Sequence, residues 1–265
     1  MNVKSSVRTL QVFEYFEHVR RPIGVMELAQ EFGWPMSSTS MLLKSLCEHG
    51  YLYRVANKST FSPTMRLPVL GSWLQAGQAS GYALANFVVQ VRETLGYSAV
   101  LSMRHGLDSH YLYVRLAPLR VEGVVSQQPK PGTRRPLCRC AAGIALMSTL
   151  PDREVGLIVR NSIGLLGPCF DPEQTLADVA NTREQGYTWH FNLNHRGMGD
   201  IALALKEKDA FGNVLVLSMG VPLAVLEREH VQLGYALQEQ VAAFSQQLES
   251  SHTRTKDIKQ GALLE

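Results

Sequence analysis

Residues 34–52 read WPMSSTSMLLKSLCEHGYL: four hydroxyl side chains, Ser37, Ser38, Thr39 and Ser40, stand directly in front of a leucine-rich run that Gly50 closes. Hydroxyls beside the backbone compete with hydrogen bonds in a helix interior. They suit a first turn, whose leading N–H groups lack partners. The stretch is therefore predicted to be a helix starting near Ser37, with Leu42, Leu43, Leu46 and Cys47 on its buried side and Gly50 just past its end.

Upstream, Val7, Leu10, Phe13 and Phe16 recur at threes behind the possible caps Ser5 and Ser6. Met26, Leu28, Ala29 and Phe32 make a short second helix that Gly33 stops. Downstream the period changes: Tyr51, Tyr53 and Val55 against Phe61 predict a two-stranded hairpin that turns through AlaAsnLysSer at residues 56–59 and ends at Pro63. Two helices, a tight turn, a third helix and a basic hairpin make a winged helix-turn-helix.

The rest of the chain reads as a different body. At 265 residues two domains are expected, and 45% hydrophobic with 18% charged residues is ordinary globular usage. Residues 65–81 look like a linking helix, with Leu67, Leu70, Trp73 and Leu74 on one side and Gly77, Ser80 and Gly81 at the joint. An apolar helix follows at 82–95, then strand-like runs at 97–103, 111–116 and 121–126, and a loop LysProGlyThrArgArgPro leading into a small-residue helix at 141–150. AspProGluGln at 171–174 announces another helix, with Asp171 capping, Pro172 in the first turn and Gln174 completing a capping box. Strands at 187–191, 201–205 and 214–219 precede a closing helix over 226–248 and a polar, frayed tail. Strands in threes with helices between and around them predict an antiparallel α+β sandwich rather than a parallel sheet.

Charge and motifs restrict function. The formal charge is +3, and residues 1–66 account for it, with eight basic residues (Lys4, Arg8, Arg20, Arg21, Lys44, Arg54, Lys58, Arg66) against five acidic ones. The start MNVKSSVRTL lacks the apolar core of a secretory signal, and the longest apolar run, 214–226, is broken by Ser218 and Pro222 and is too short to span a bilayer. No membrane contact and a cytoplasmic location are expected. The four cysteines show no CxxC pairing, and Cys138 with Cys140, a CxC without a second pair, reads as ordinary thiols more readily than as a metal site. Neither a cofactor nor a metal is expected.

In a helix-turn-helix, the N-terminal end of the second motif helix enters the major groove, so it needs small or hydrogen-bonding side chains there. Ser37, Ser38, Thr39 and Ser40 meet that need, while Arg21, Lys44, Arg54 and Lys58, with Arg20, would supply salt-sensitive attraction to phosphates. The alternative is that the hydroxyls merely cap and the cations are merely solvated.

Several stretches resemble the isocitrate-lyase-regulator (IclR) family of bacterial transcription regulators. In the first quarter these are SSVRTLQVFEYF, MELAQEFGWPMSSTSMLLKSLCEHGYL and MRLPVLGSWL. Later come GTRRPLCRCAAGIALMSTLP at 132–151, REQGYTWHFNLNHRGMGDIALAL at 183–205 and the run VLVLSMGVP ending at Pro222. The resemblance implies a winged helix-turn-helix at 1–64, a linker helix at 65–81, a GAF-like effector-binding and oligomerisation domain at 82–250 and a tail at 251–265. It further implies a homodimer or tetramer on a palindromic DNA operator, switched by a small organic or aromatic acid, with dimer contacts and coupling at the linker helix.

Two departures from the family pattern matter. Where the resemblance implies an arginine in the recognition helix, the chain has Met41, which cannot grip guanine but can pack against a thymine methyl. Readout is therefore expected to rest on Ser38, Thr39 and Ser40, with Lys44 in reserve. The resemblance also places an effector pocket at Ala141, Ala142, His190, Asp200, Ser218 and Gly220, where small side chains leave room beside a helix N-terminus suited to an anion. His190 and Asp200 stand where the family carries other groups, so His190 would meet a ligand carboxylate and Asp200 a ligand hydroxyl. Alternatively, the two satisfy each other across neighbouring strands. Trp189 and Phe191, alternating with His190, should face the core.

Two other functions compete. A metal-dependent enzyme would have to use His190, His195 and Asp200, but nothing flags a nucleophile with its base or a phosphate-binding glycine loop, so no enzyme is expected. A sensor without sequence-specific DNA binding is the other alternative, suggested by Met41.

Overall fold

The computed structural model describes residues 3–55, 58–71, 81–118, 129–191, 197–209 and 211–261, the stretch 251–261 by its backbone alone. The chain divides into two units, Met1–Trp73 and Leu74–Glu265.

The first unit follows the predicted order. It runs α1 (Lys4–Val19), β1 (Ile23–Gly24), α2 (Val25–Phe32), α3 (Met36–Glu48), β2 (Leu52–Arg54), β3 (Thr60–Pro63) and α4 (Arg66–Gly71). Val12 and Phe16 of α1, Leu28 of α2, Leu43 and Leu46 of α3 and Phe61 of β3 form one core. Gly33, at φ 64°, takes the left-handed position that ends α2 and lets the chain turn into α3. Ser5 and Ser6 are not caps: the helix starts behind Val3, and both serines lie inside its first turn. The wing is one residue out of phase with the predicted alternation. Leu52 points inward and Tyr53 is exposed, while Tyr51 packs edge-on against Phe13 of α1. A third strand, β1, pairs Ile23 with Phe61, giving the sheet order β1-β3-β2. Of the predicted linking helix, α4 is described; residues 72–80 and the turn residues 56–57 lie outside the described residues.

The second unit contains α5 (Gly81–Leu95), β4 (Ser98–His105), β5 (Asp108–Arg115), β6 (Arg134–Pro136), a 3₁₀ turn (Leu137–Arg139), α6 (Ala141–Ser148), α7 (Asp152–Leu166), α8 (Pro172–Gln185), β7 (Thr188–Phe191), β8 (Met198–Lys208), β9 (Val214–Pro222) and α9 (Leu223–Gly261). The strands form one sheet in the order β6-β5-β4-β9-β8-β7, and its pairs are antiparallel. Period two sends Leu101, Leu203, Leu217 and Met219 to one face, against Phe87 and Val88 of α5 and Leu237 of α9. Ala202 and Val216 point to the other face, where Ile144 and Met147 of α6, Ile158 of α7 and Val179 of α8 cover them.

Several expectations need correction. Residues 134–136, read as loop, form the edge strand β6, which pairs with Asp108, Ser109 and His110; the strand predicted at 121–126 lies outside the described residues. Helix α7 had no counterpart in the sequence reading. Helix α9 begins three residues earlier than predicted and continues through the stretch read as a frayed tail. Asp171 does cap α8, its Oδ1 accepting from the Glu173 and Gln174 N–H groups at 3.0 Å. Gln174 completes no capping box, because its amide donates to Asp178 Oδ1 at 2.8 Å.

Candidate nucleic-acid interface and effector-binding face

Helix α3 is held from beneath by Thr39, Leu43 and Leu46, all buried. Ser37, Met41, Lys44 and Glu48, three and four residues apart, form its exposed stripe. The hydroxyls act differently from first-turn caps. Pro35 occupies the N-cap position and provides no side-chain acceptor, and both Ser38 Oγ and Thr39 Oγ1 donate back to the Pro35 carbonyl at 3.0 Å. Thr39 is only 1% exposed, so it belongs to the packing and is withdrawn from the predicted DNA contacts. Ser37 is exposed, and Ser38 and Ser40 are half-buried at the edge of the stripe.

The predicted cations separate into two kinds. Lys44, Arg54 on β2 and Lys58 beyond it are exposed. Arg21 is instead engaged by Glu27, donating through both terminal nitrogens at 3.1 and 2.6 Å. That hydrogen-bonded pairing holds the Glu27 carboxyl below the ordinary glutamate value. A cation the sequence reading had not singled out, Arg8, donates to Ser38 Oγ at 3.4 Å from thirty residues away, and its guanidinium lies 5.0 Å above the Trp34 ring. Nothing local in SSVRTL announces that contact, because it exists only once α1 and α3 are packed.

In the second unit, cross-strand register brings His190, Asp200 and Gly220 into one row, with Thr188, Ala202 and Ser218 in the next. This is the face that α6 covers. Ala141 and Ala142 form the buried first turn of α6, which starts at Cys140, whose Sγ accepts from the Gly143 N–H at 3.3 Å. Burial, and then the nearby Asp200 charge, push the Cys140 thiol up to about 12. Burial and Asp200 also push the Tyr111 phenol well above its ordinary value, while an Arg135 hydrogen bond opposes them. Tyr111, Arg135 and Cys140 thus join Asp200 on this face; Tyr111 lies in no motif, and Arg135 lies in the stretch GTRRPLCRC without having been expected at the site.

His190 stands opposite Asp200 in register, yet its ring turns to α8, with Nε2 3.9 Å from Asp178 Oδ2. It helps line a groove of about 450 Å³ between α8 and β7, together with Asn181, Thr188 and Trp189. His190 is thus directed at Asp178 across the sheet edge. Trp189 packs on the core as predicted, but Phe191 is exposed. Cys138 and Cys140 serve different partners, Cys138 Sγ donating to Ser162 Oγ at 3.5 Å. Among the described residues no group of three or more His, Cys, Asp or Glu side chains is placed to hold a metal; His195 lies outside them. No described helix is long and apolar enough to cross a membrane.

The winged arrangement around α3 defines a helix-turn-helix DNA-binding protein of the transcription-regulator class, and the model of the IclR helix-turn-helix domain matches residues 5–56. The chain is similar to the HTH-type transcriptional regulator XynR of Escherichia coli K12, 22% identical over 209 residues that cover 76% of this chain and 79% of that one. It is similar also to the HTH-type transcriptional repressor AllR of Salmonella typhimurium LT2, 23% identical over 225 residues, 84% of this chain and 81% of the relative. The fold matches a solved IclR-family regulator from Brucella abortus (TM-score 0.52, 21% identity, 95% of this chain and 93% of the other). It also matches the Thermotoga maritima IclR (TM-score 0.55, 16% identity, 93% and 99%). Residues 5–56 thus carry an IclR helix-turn-helix domain, and the chain is similar along most of its length to HTH-type transcriptional regulators and has the fold of solved IclR-family regulators.

Proposed function

We propose that the chain binds a palindromic operator as a dimer or a dimer of dimers, and that a small organic or aromatic acid switches this binding. In this reading residues 1–64 bind DNA, 65–81 join the halves and carry dimer contacts, and 82–250 sense the ligand. Two-fold symmetry supplies two recognition helices, which a single helix with few base-reading side chains needs for specificity. The observation that carries the effector half is the row His190, Asp200, Gly220 beside the first turn of α6. A helix start favours an anion, and Arg135, on the same face, adds a cation. Asp200 would then accept from a ligand hydroxyl.

Selection of bound duplexes from a random pool at moderate salt tests the first half: a palindromic consensus is expected, and its absence rejects the regulator reading in favour of a sensor that binds no specific sequence. Thermal melting of the full chain with a panel of organic and aromatic acids tests the second. An acid that binds only the folded state stabilises it by roughly 2.7 kcal/mol at a hundredfold excess over its Kd. A rise in melting temperature that disappears in the His190→Ala, Asp200→Ala double variant is expected; no rise, or one the double variant keeps, removes the effector assignment.

A further inference from the structure

On the exposed stripe of α3, one residue between Ser37 and Lys44 is apolar. Met41 is 71% exposed. At 100° per residue it lies on the opposite side of the helix from Thr39 and Leu46, which are buried. Its stripe neighbours are Ser37 one turn before it and Lys44 and Glu48 after it, with Ser40 and Ser45 beside it. A single exposed apolar side chain is ordinary on a protein surface. Its company is what gives this one meaning: the stripe has no Arg, Asn or Gln. Of the side chains that make paired hydrogen bonds to a base edge, only Lys44 is present, as a flexible point charge. Serine hydroxyls both donate and accept, so they discriminate poorly among base edges. The one chemically distinctive group this helix can bring to the floor of a major groove is the thioether of Met41. The one apolar group that a base pair offers there is the C5-methyl of thymine.

We propose that Met41 is a specificity-determining residue that reads a thymine methyl, so that each operator half-site carries a T·A pair at the position facing it, and that Lys44 contributes mainly charge. This rests on the operator-binding reading above. The flexible, polarizable side chain of methionine suits contact with a methyl whose position shifts with local groove shape.

The test uses the full chain and the consensus duplex recovered from the random pool. Each thymine of one half-site is replaced in turn by deoxyuridine, which deletes only the methyl, and affinity is measured by fluorescence anisotropy at fixed salt. One position is expected to weaken binding about three- to fivefold, the scale of one methyl group removed from an apolar contact. In the Met41→Ala protein the same replacement should have no effect. Met41→Ala should melt like the parent, since the side chain is exposed, and should keep the parent's salt dependence, whereas Lys44→Ala should reduce it. Deoxyuridine that is neutral at every position, or a penalty that persists in Met41→Ala, overturns the assignment while leaving operator binding intact. Failure to recover any consensus overturns both.

Discussion

Arg21 and Glu27 are locked together by two hydrogen bonds at the junction of α1 and α2, the guanidinium donating to both carboxylate oxygens. Tyr15 adds a third, donating to Glu27 Oε1 at 2.9 Å. A guanidinium satisfied in this way has little to gain from a phosphate. Arg21→Ala is expected to change operator affinity less than twofold, whereas Lys44→Ala, Arg54→Ala and Lys58→Ala should each weaken all duplexes alike and lower the log–log salt slope by about one. Binding titrations across a salt series decide it: a slope as reduced in Arg21→Ala as in Lys44→Ala would return Arg21 to the interface.

Thr39 and Ser37 sit two residues apart on α3 and should separate cleanly in their effects. Thr39 is buried and donates to the Pro35 carbonyl, so Thr39→Val should cost about 1 kcal/mol of stability, the net value of one hydrogen bond, and leave the operator consensus unchanged. Ser37 is exposed at the leading end of the stripe, so Ser37→Ala should melt like the parent and bind the operator more weakly. Chemical denaturation and duplex binding on the two variants check this; a changed consensus in Thr39→Val would contradict the buried assignment.

These two residues also show what the sequence could and could not disclose. Helix α3, its leucine anchor and Gly33 were legible because a 3.6-residue period and a helix-ending glycine are local signals. Which hydroxyl faces outward was not legible, because the Pro35 carbonyl accepts from both Ser38 and Thr39, yet only Thr39 is buried by the packing of α3. The same holds for the second unit. Alternation around His190 put Trp189 on the core side, but no periodicity could reveal that His190 would meet Asp178 on α8, or that Tyr111 and Arg135 would join Asp200. Those contacts are set by how helices cross the sheet. Helix α7 is the opposite case: Val155, Ile158, Val159 and Ser162 are its buried residues, and that spacing stood in the sequence to be read.

Gly143 seats α6 on the chain that precedes it. A Cβ at this position would lie 2.1 Å from the Leu137 carbonyl oxygen and 2.4 Å from Leu137 Cα, backbone atoms that cannot yield as a side-chain tip would. Gly143→Ala should therefore destabilise the second unit by about 1–3 kcal/mol or more through overpacking, despite alanine's higher helix propensity. It should also abolish any acid-induced melting shift, because the first turn of α6 would be displaced. Gly164→Ala, in α7 with open space around its Cβ position, is the control and should be neutral or stabilising. Equal melting temperatures for the two variants would refute the seat.

Cys140 links this helix start to pH. Its thiol is pushed from an ordinary value of 9.0 to about 12, first by burial and then by Asp200. The folded state therefore holds its proton more tightly than the unfolded chain does. The resulting stability is complete below pH 9 and is lost as pH rises from 9 towards 12. Serine at this position would not titrate in that window, and its hydroxyl could still accept from the Gly143 N–H as a favoured N-cap. Cys140→Ser should accordingly flatten the alkaline decline in stability without weakening the protein at neutral pH. The half-buried Cys47 thiol, the buried Cys138 thiol and the Tyr111 phenol are also raised, chiefly by burial, so a residual slope should remain. Urea unfolding over a series of pH values measures the difference; parallel alkaline limbs for parent and variant would show that the Cys140 thiol takes no part in the decline.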